Sequence, residues 1–216
     1  MRLGIFGGTF DPPHVGHLLA ASDAFEYLSL NRLVFVPAAM QPLKVGRPSA
    51  APSAHRLAMV RLMMDGDPRF GIDPVEVERE GLSYTVETLR GFRVQFPLAE
   101  RYFLVGADVL SSFAKWREPR EVLALATLAI LTRRDDGPPS SSDIESARTR
   151  SPAAATEPAV PDALAREVAG RSVRVPTRRI DVSSTEIRDR VRCGRPIRGF
   201  VTDAVAEYIS SHGLYR

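Results

Sequence analysis

One cysteine, one tryptophan and no long apolar run mean that the 216-residue chain lacks the marks of several protein classes. With Cys193 alone, no disulfide can form within the chain, so the fold must stand on its core. That thiol lies near the end of a helical pattern and reads as idle rather than catalytic. No stretch approaches the ~20 apolar residues that a membrane-spanning helix needs. A cytoplasmic protein with no membrane partner is the expectation. Charge of one sign is also scarce, since the formal net charge is only +3. A nucleic-acid-binding domain usually shows a dense basic stripe, so no nucleic-acid partner is expected. Arginine supplies most of the positive charge, which suits a small polyanion.

What is present is an alternation of short β-branched or aromatic runs with helical patterns. Strands are predicted at Leu3–Phe6, Leu33–Val36, Phe70–Asp73 with Val75–Glu78, Arg101–Val105, Leu128–Thr132 and Val173–Val175. Helices are predicted at Val15–Leu28, Ala54–Met64, Tyr84–Phe96, Pro119–Leu125, Asp162–Ala169, Thr185–Arg192 and Thr202–Ser211. Alternation at this spacing implies an α/β fold, a Rossmann-like doubly wound parallel sheet with helices on both faces. Ligands of such sheets bind at the carboxyl ends of the strands, near a topological switch point. The whole chain reads as one domain. Its one interruption is a Ser-, Pro- and Ala-rich stretch at 135–161, which cannot supply a core face and reads as a mobile insertion.

The densest signal is Gly7-Gly8-Thr9-Phe10-Asp11-Pro12-Pro13-His14-Val15-Gly16-His17. Two glycines after the first apolar run allow close approach of a ligand and positive φ. The prolines suit a chain turning into a helix, and His14 and His17, three apart, project from one face of it. A glycine turn, a helix start and paired imidazoles make a site for a phosphate chain. A zinc site is less apt, because no third ligand stands at a nearby spacing.

Near the other end, Val182-Ser183-Ser184-Thr185-Glu186-Ile187-Arg188 carries a capping box at Ser183 and Glu186. Beyond that local role, the Ser184 and Thr185 hydroxyls could face an anion, with Arg188 one turn on to clamp it. Two anion-binding helix starts suit the two ends of a triphosphate. Val105-Gly106-Ala107-Asp108 ends a strand, where Gly106 permits close approach of a flat ring and Asp108 can accept from a ribose hydroxyl. Trp116 is either core or a stacking surface for a heteroaromatic ring. In Gly81-Leu82-Ser83-Tyr84-Thr85, Ser83 is read as an N-cap, and the helix start would also attract a carboxylate. Lys44 sits in a loop after the second strand and by itself carries little weight.

Taken together, these residues resemble the bacterial nicotinate-nucleotide adenylyltransferases of the nucleotidyltransferase superfamily. The glycine-histidine segment is similar to that superfamily's phosphate motif, and 182–188 to its second motif. Ser83-Tyr84-Thr85, Gly106-Ala107-Asp108 and Trp116 stand in the family's order and spacing, over nearly the whole chain. The resemblance implies transfer of an adenylyl group from ATP to nicotinate mononucleotide, with Mg²⁺, giving deamido-NAD and pyrophosphate in NAD biosynthesis. It implies that Gly7, Gly8, Thr9 and Phe10 border ATP and that His14 and His17 meet its phosphates. By the same resemblance Ser184 and Arg188 hold the β and γ groups, Thr185 belongs to the ATP site, Gly106 and Asp108 face the adenosine and ribose region, and Lys44 reaches the phosphates. Tyr84, Thr85 and Trp116 would form the nicotinate pocket. Two departures stand out: Leu43 replaces the family's usual His before the loop Lys, and Arg134-Asp135 replaces Pro-Gly after Arg133.

Such a reaction needs no side-chain nucleophile. The acceptor phosphate attacks the α-phosphorus in line, and positioning with charge stabilisation does the rest. Alternative readings are an adenylyltransferase for nicotinamide mononucleotide or phosphopantetheine, a nucleotide-binding regulator without turnover, and, least apt, an RNA-binding module. A homo-oligomer is compatible with the sequence, which does not specify one.

Overall fold

The computed structural model of the chain describes residues 1–44, 46, 49–133 and 162–216. Six parallel strands form one sheet: β1 (Arg2–Gly8), β2 (Arg32–Pro37), β3 (Phe70–Ile72), β4 (Glu100–Gly106), β5 (Thr127–Arg133) and β6 (Ser172–Thr177). Their spatial order is β3-β2-β1-β4-β5-β6, the doubly wound arrangement expected from the alternation. The order reverses between β1 and β4, so the crevice beyond Gly8 and Gly106 is the switch point. The stretch 135–161 lies outside the described residues.

Strand periodicity explains why both faces are covered. Leu3 and Ile5, Val34 and Val36, Phe103 and Val105, and Leu128 and Ile130 point to one face; Phe6, Leu33, Phe35, Leu104 and Ala129 point to the other. Each of these four strands is therefore apolar on consecutive residues, as two-sided burial demands. The first face is covered by α4 (Thr85–Gln95), through Val86, Leu89 and Phe92, and by α5 (Pro119–Leu125), through Val122, Leu123 and Leu125. Leu164 of α6 (Asp162–Gly170) joins them. The second face is covered by α1 (Val15–Tyr27), α2 (Ser53–Met64), α7 (Ser184–Arg192) and α8 (Asp203–Ser211). Among the described residues no helix is long and apolar enough to cross a membrane.

Four local expectations need correction. Val75–Arg79 is a short helix, α3, and not a strand. The alternation Val-Glu-Val-Glu imitates a strand, but the Asp73 carboxylate accepts the Val75 N–H at 3.0 Å and Glu78 N reaches the Pro74 carbonyl. A helical turn is thus nucleated behind Pro74. Second, Gly7 and Gly8 lie inside β1 and do not use positive φ; the residue that does is Phe10, at φ 49°. Glycine is needed at position 8 because a Cβ there would stand 2.8 Å from the Phe10 ring. Third, the N-cap of α4 is Tyr84; the Ser83 hydroxyl instead accepts from Ala39 N at 2.9 Å. Fourth, residues 107–115 form a 3₁₀ helix that sequence periodicity does not announce.

Candidate active site

The glycine-histidine segment crosses the top of β1 and packs beneath α7. Pro12 and Asp11 present carbonyls to that helix: Ser184 donates its hydroxyl to Pro12 O at 2.8 Å, and Arg188 Nη1 donates to Asp11 O at 2.7 Å. The two segments expected to bind an anion, 172 and 177 positions apart by these bonds, meet in one place. The Ser184 proton is already spent on Pro12, which corrects the expectation that this hydroxyl faces an anion. At that position the main-chain N–H groups of Ser184 and Thr185 remain, and these lack partners within any helix. Ser183 caps α7 as expected, accepting from Glu186 N at 3.1 Å. Arg188 Nη2 also donates to Thr185 Oγ1 at 3.1 Å, which fixes the plane of the guanidinium.

His14 is the N-cap of α1, and its ring lies 3.8 Å from that of His17, tilted by 33°. His14 N donates to His17 Nδ1 at 3.2 Å, so His17 Nδ1 is an acceptor and its proton sits on Nε2 as a donor. His14 Nδ1 is buried without a partner. A Cβ at residue 16 would stand 2.9 Å from that nitrogen, so Gly16 is what lets the ring lie back on the helix. Burial lowers the His14 pKa to about 4; burial, reinforced by His14, puts His17 well below the ordinary imidazole range. Both rings are neutral at pH 7 and act as hydrogen-bonding groups. Of the first amides of α1, Val15 N donates to Phe200 O and His17 N to His14 O. The anion-binding capacity of this helix start therefore rests on Gly16 N and the rings.

A buried polar hub underlies the segment, and sequence reasoning missed it. Asp11 accepts from Ala50 N at 2.7 Å, Ala51 N at 3.1 Å and the Tyr215 hydroxyl at 2.8 Å. Beside it, Arg56 is 1% exposed and donates to the carbonyls of Ala51, Thr9 and Ala39 at 3.1, 2.6 and 2.9 Å. Burial lowers the Arg56 pKa, with Asp11 and Tyr215 opposing. One signal for Arg56 was present: it shares the buried stripe of α2 with Met59, Val60 and Met63, where a cation has no business without partners.

The opposite side of the crevice is built differently. Tyr84 and Trp116 both pack against the core face that carries Phe103, and both are half-buried. Trp116 lies edge-on to Phe103, with ring centroids 6.1 Å apart, and tilts against Phe113 at 5.3 Å. Arg117 joins the two: its guanidinium lies 4.7 Å from the Tyr84 ring centroid and donates to Glu87 at 2.9 Å. Thr85 opens α4. Gly106 ends β4 at the switch point, and the exposed Asp108 folds its carboxylate back against Gly106. Lys44 closes a 3₁₀ turn, Pro42–Lys44, and its side chain lies outside the described residues. The exposed Leu43 beside it offers no hydrogen-bond donor.

A family model described as cytidylyltransferase-like matches residues 5–190. A protein of Gemmatimonas aurantiaca named a probable nicotinate-nucleotide adenylyltransferase is 47% identical over 216 residues, covering 100% of this chain and 93% of that protein. The chain belongs to the nicotinate-nucleotide adenylyltransferase family. A probable nicotinate-nucleotide adenylyltransferase of Thermus thermophilus is 42% identical, with 100% of both chains covered. Among solved structures, the nicotinic acid mononucleotide adenylyltransferase of Plasmodium falciparum complexed with NaAD aligns with a TM-score of 0.72, covering 99% of this chain and 97% of that one. At 15% identity that likeness speaks for the fold. In this member of the nicotinate-nucleotide adenylyltransferase family, His14, His17 and Arg188 lie together beside the switch point, and Leu43 stands next to Lys44.

Proposed function

We propose that the protein transfers the adenylyl group of ATP to nicotinate mononucleotide, releasing pyrophosphate and forming nicotinate adenine dinucleotide. The observation that carries this is the union of the two motifs: His14, His17, Arg188 and the first amides of α7 converge at the switch point where a triphosphate would lie. Gly7, Gly8, Thr9 and Phe10 form the floor, and Gly106 with Asp108 the adenosine side. Arg188 is the one guanidinium locked by Asp11 and Thr185 at that place. The neutral imidazoles donate hydrogen bonds to the departing phosphoryl oxygens and gain charge as negative charge builds there. Lys44 supplies a further cation.

The nicotinate carboxylate is matched to the first amides of α4, at Tyr84 and Thr85, and the ring to Trp116. Mg²⁺ enters with ATP, whose phosphates and waters usually supply most of its ligands. Among the described residues no three His, Cys, Asp or Glu gather as a cage, and Asp11 is fully engaged with its own donors. The described residues thus do not fit a resident metal, and no step is assigned to one.

The test is pyrophosphate release from ATP with nicotinate or nicotinamide mononucleotide as acceptor. A strong preference for the carboxylate is expected. Preference for the amide would overturn the acceptor assignment and leave the chemistry standing.

A further inference from the structure

We propose that Tyr215 is a positioning residue for the triphosphate half of the site, acting through the Asp11 carboxylate it holds. This rests on the adenylyl-transfer reading for its kinetics alone, since ATP binding can be measured without turnover. Tyr215 is 204 positions from Asp11, is 8% exposed, and delivers its hydroxyl to Asp11 Oδ1 at 2.8 Å. It does so from φ 65°, a conformation that bulky residues avoid and that persists only where surroundings over-determine it. Phe10, adjacent to Asp11, sits at φ 49°. Two strained backbones thus meet at one carboxylate.

The consequence for phosphate binding follows from what Asp11 carries. Its carboxylate is pinned by three donors, and its own carbonyl orients Arg188. The next carbonyl, that of Pro12, takes the Ser184 hydroxyl, and His14 lies two residues further on. Any rotation of Asp11 therefore moves the arginine clamp, the start of α7 and the histidine pair together. Burial, followed by the charge of Asp11, pushes the Tyr215 hydroxyl pKa up, so it remains a donor throughout the working range.

A matched pair of variants tests this. Tyr215→Phe deletes the hydroxyl on Asp11; Tyr208→Phe deletes one that meets His55 Nδ1 at 3.0 Å, away from the hub. Because hydrogen bonds to charged groups are the strong ones, Tyr215→Phe should weaken ATP binding about tenfold by calorimetry. It should raise KM for ATP to match and leave KM for nicotinate mononucleotide unchanged. Tyr208→Phe should leave both alone. Asp11→Asn breaks the hub from the other side, replacing one acceptor by a donor, and should weaken ATP as well. Combined with Tyr215→Phe it should be no worse than Asp11→Asn alone. Normal ATP binding in Tyr215→Phe, equal losses in the two tyrosine variants, or additive losses in the double variant would each overturn the proposal. A wild-type protein that binds ATP yet makes no pyrophosphate with nicotinate mononucleotide would count against the reaction, and not against Tyr215.

Discussion

The two sides of the crevice are held by opposite means. Around Asp11 the proposed phosphate side is locked by buried and part-buried hydrogen bonds that join residues 9, 11, 39, 50–51, 56, 188 and 215. Around Tyr84 and Trp116 the proposed acceptor side is held by half-buried rings and by exposed ion pairs among Arg90, Arg117, Glu87, Glu118 and Glu121. Charge stabilisation of a transition state is worth most when the donors cannot relax, so it needs the first kind of construction. Selecting a flat acceptor needs a surface and a few amides, and the second kind suffices. On the proposed assignment, rigidity is concentrated where the bond is cut.

That contrast predicts large, acceptor-independent losses on the phosphate side. His17→Ala removes a donor aimed at developing charge and should lower turnover by about two to three orders of magnitude, or roughly 2.7–4 kcal/mol of barrier. The loss should be equal with either mononucleotide, and circular dichroism should report an intact fold; near-normal turnover would remove His17 from the mechanism. Arg56→Met strands three carbonyls and removes the cation beside Asp11, so urea unfolding should show a loss of about 3–5 kcal/mol. A smaller loss would mean that the hub is better hydrated than its burial indicates.

Acid should act on the same side. The folded His14 pKa, about 4, lies below its unfolded value of 6.5. Between these values the unfolded chain binds a proton that the folded chain refuses. Stability from this group is therefore complete above pH 6.5 and is lost as pH falls toward 4, by up to about 3 kcal/mol. His17 is shifted in the same direction and adds to the loss. His14→Gln should flatten this part of the stability curve, and an unchanged acid slope would show that carboxylates dominate it.

What could be read from the sequence divides along the same line. Local patterns were legible: the strand alternation placed all six strands of the sheet, and the spacing of His14 and His17 put them on one helix face. The Ser183 cap was legible because a cap is a contact within four residues. Val75–Glu78 misled because a period of two is shared by a strand and by a short helix begun at Asp73-Pro74. The hub was not legible because the bonds to the Asp11 carboxylate span 39 to 204 positions, and nothing local distinguishes Ala50 or Tyr215 from any loop or helix-end residue. The same holds for Ser184, whose expected role changed once Pro12 was found beneath it.

On the acceptor side the expected effects are smaller and selective. Trp116→Leu keeps an apolar contact with Phe103 and Phe113 but removes the large aromatic face. With aromatic pairing worth about 0.5–1.5 kcal/mol, KM for nicotinate mononucleotide should rise roughly two- to tenfold. KM for ATP should hold, and a matching rise for ATP would merge the two halves that the structure keeps apart.

Arg117→Met should be the mildest change, and it is the sharpest check on the contrast. Arg117 is a long cation bound to Glu87 and laid over Tyr84, so its loss could be mistaken for the loss of a hub residue such as Arg56. Its side chain is 49% exposed, however, and water can take over both partners once it is gone. Exposed pairs contribute at most about 1 kcal/mol, so urea unfolding should move by less than that, several-fold below the Arg56→Met loss. Met retains apolar cover for the Tyr84 ring. The only other change expected is a small weakening of the acceptor, since a cation near the α4 start is removed. A stability loss equal to that of Arg56→Met would mean that the acceptor side is as tightly built as the phosphate side.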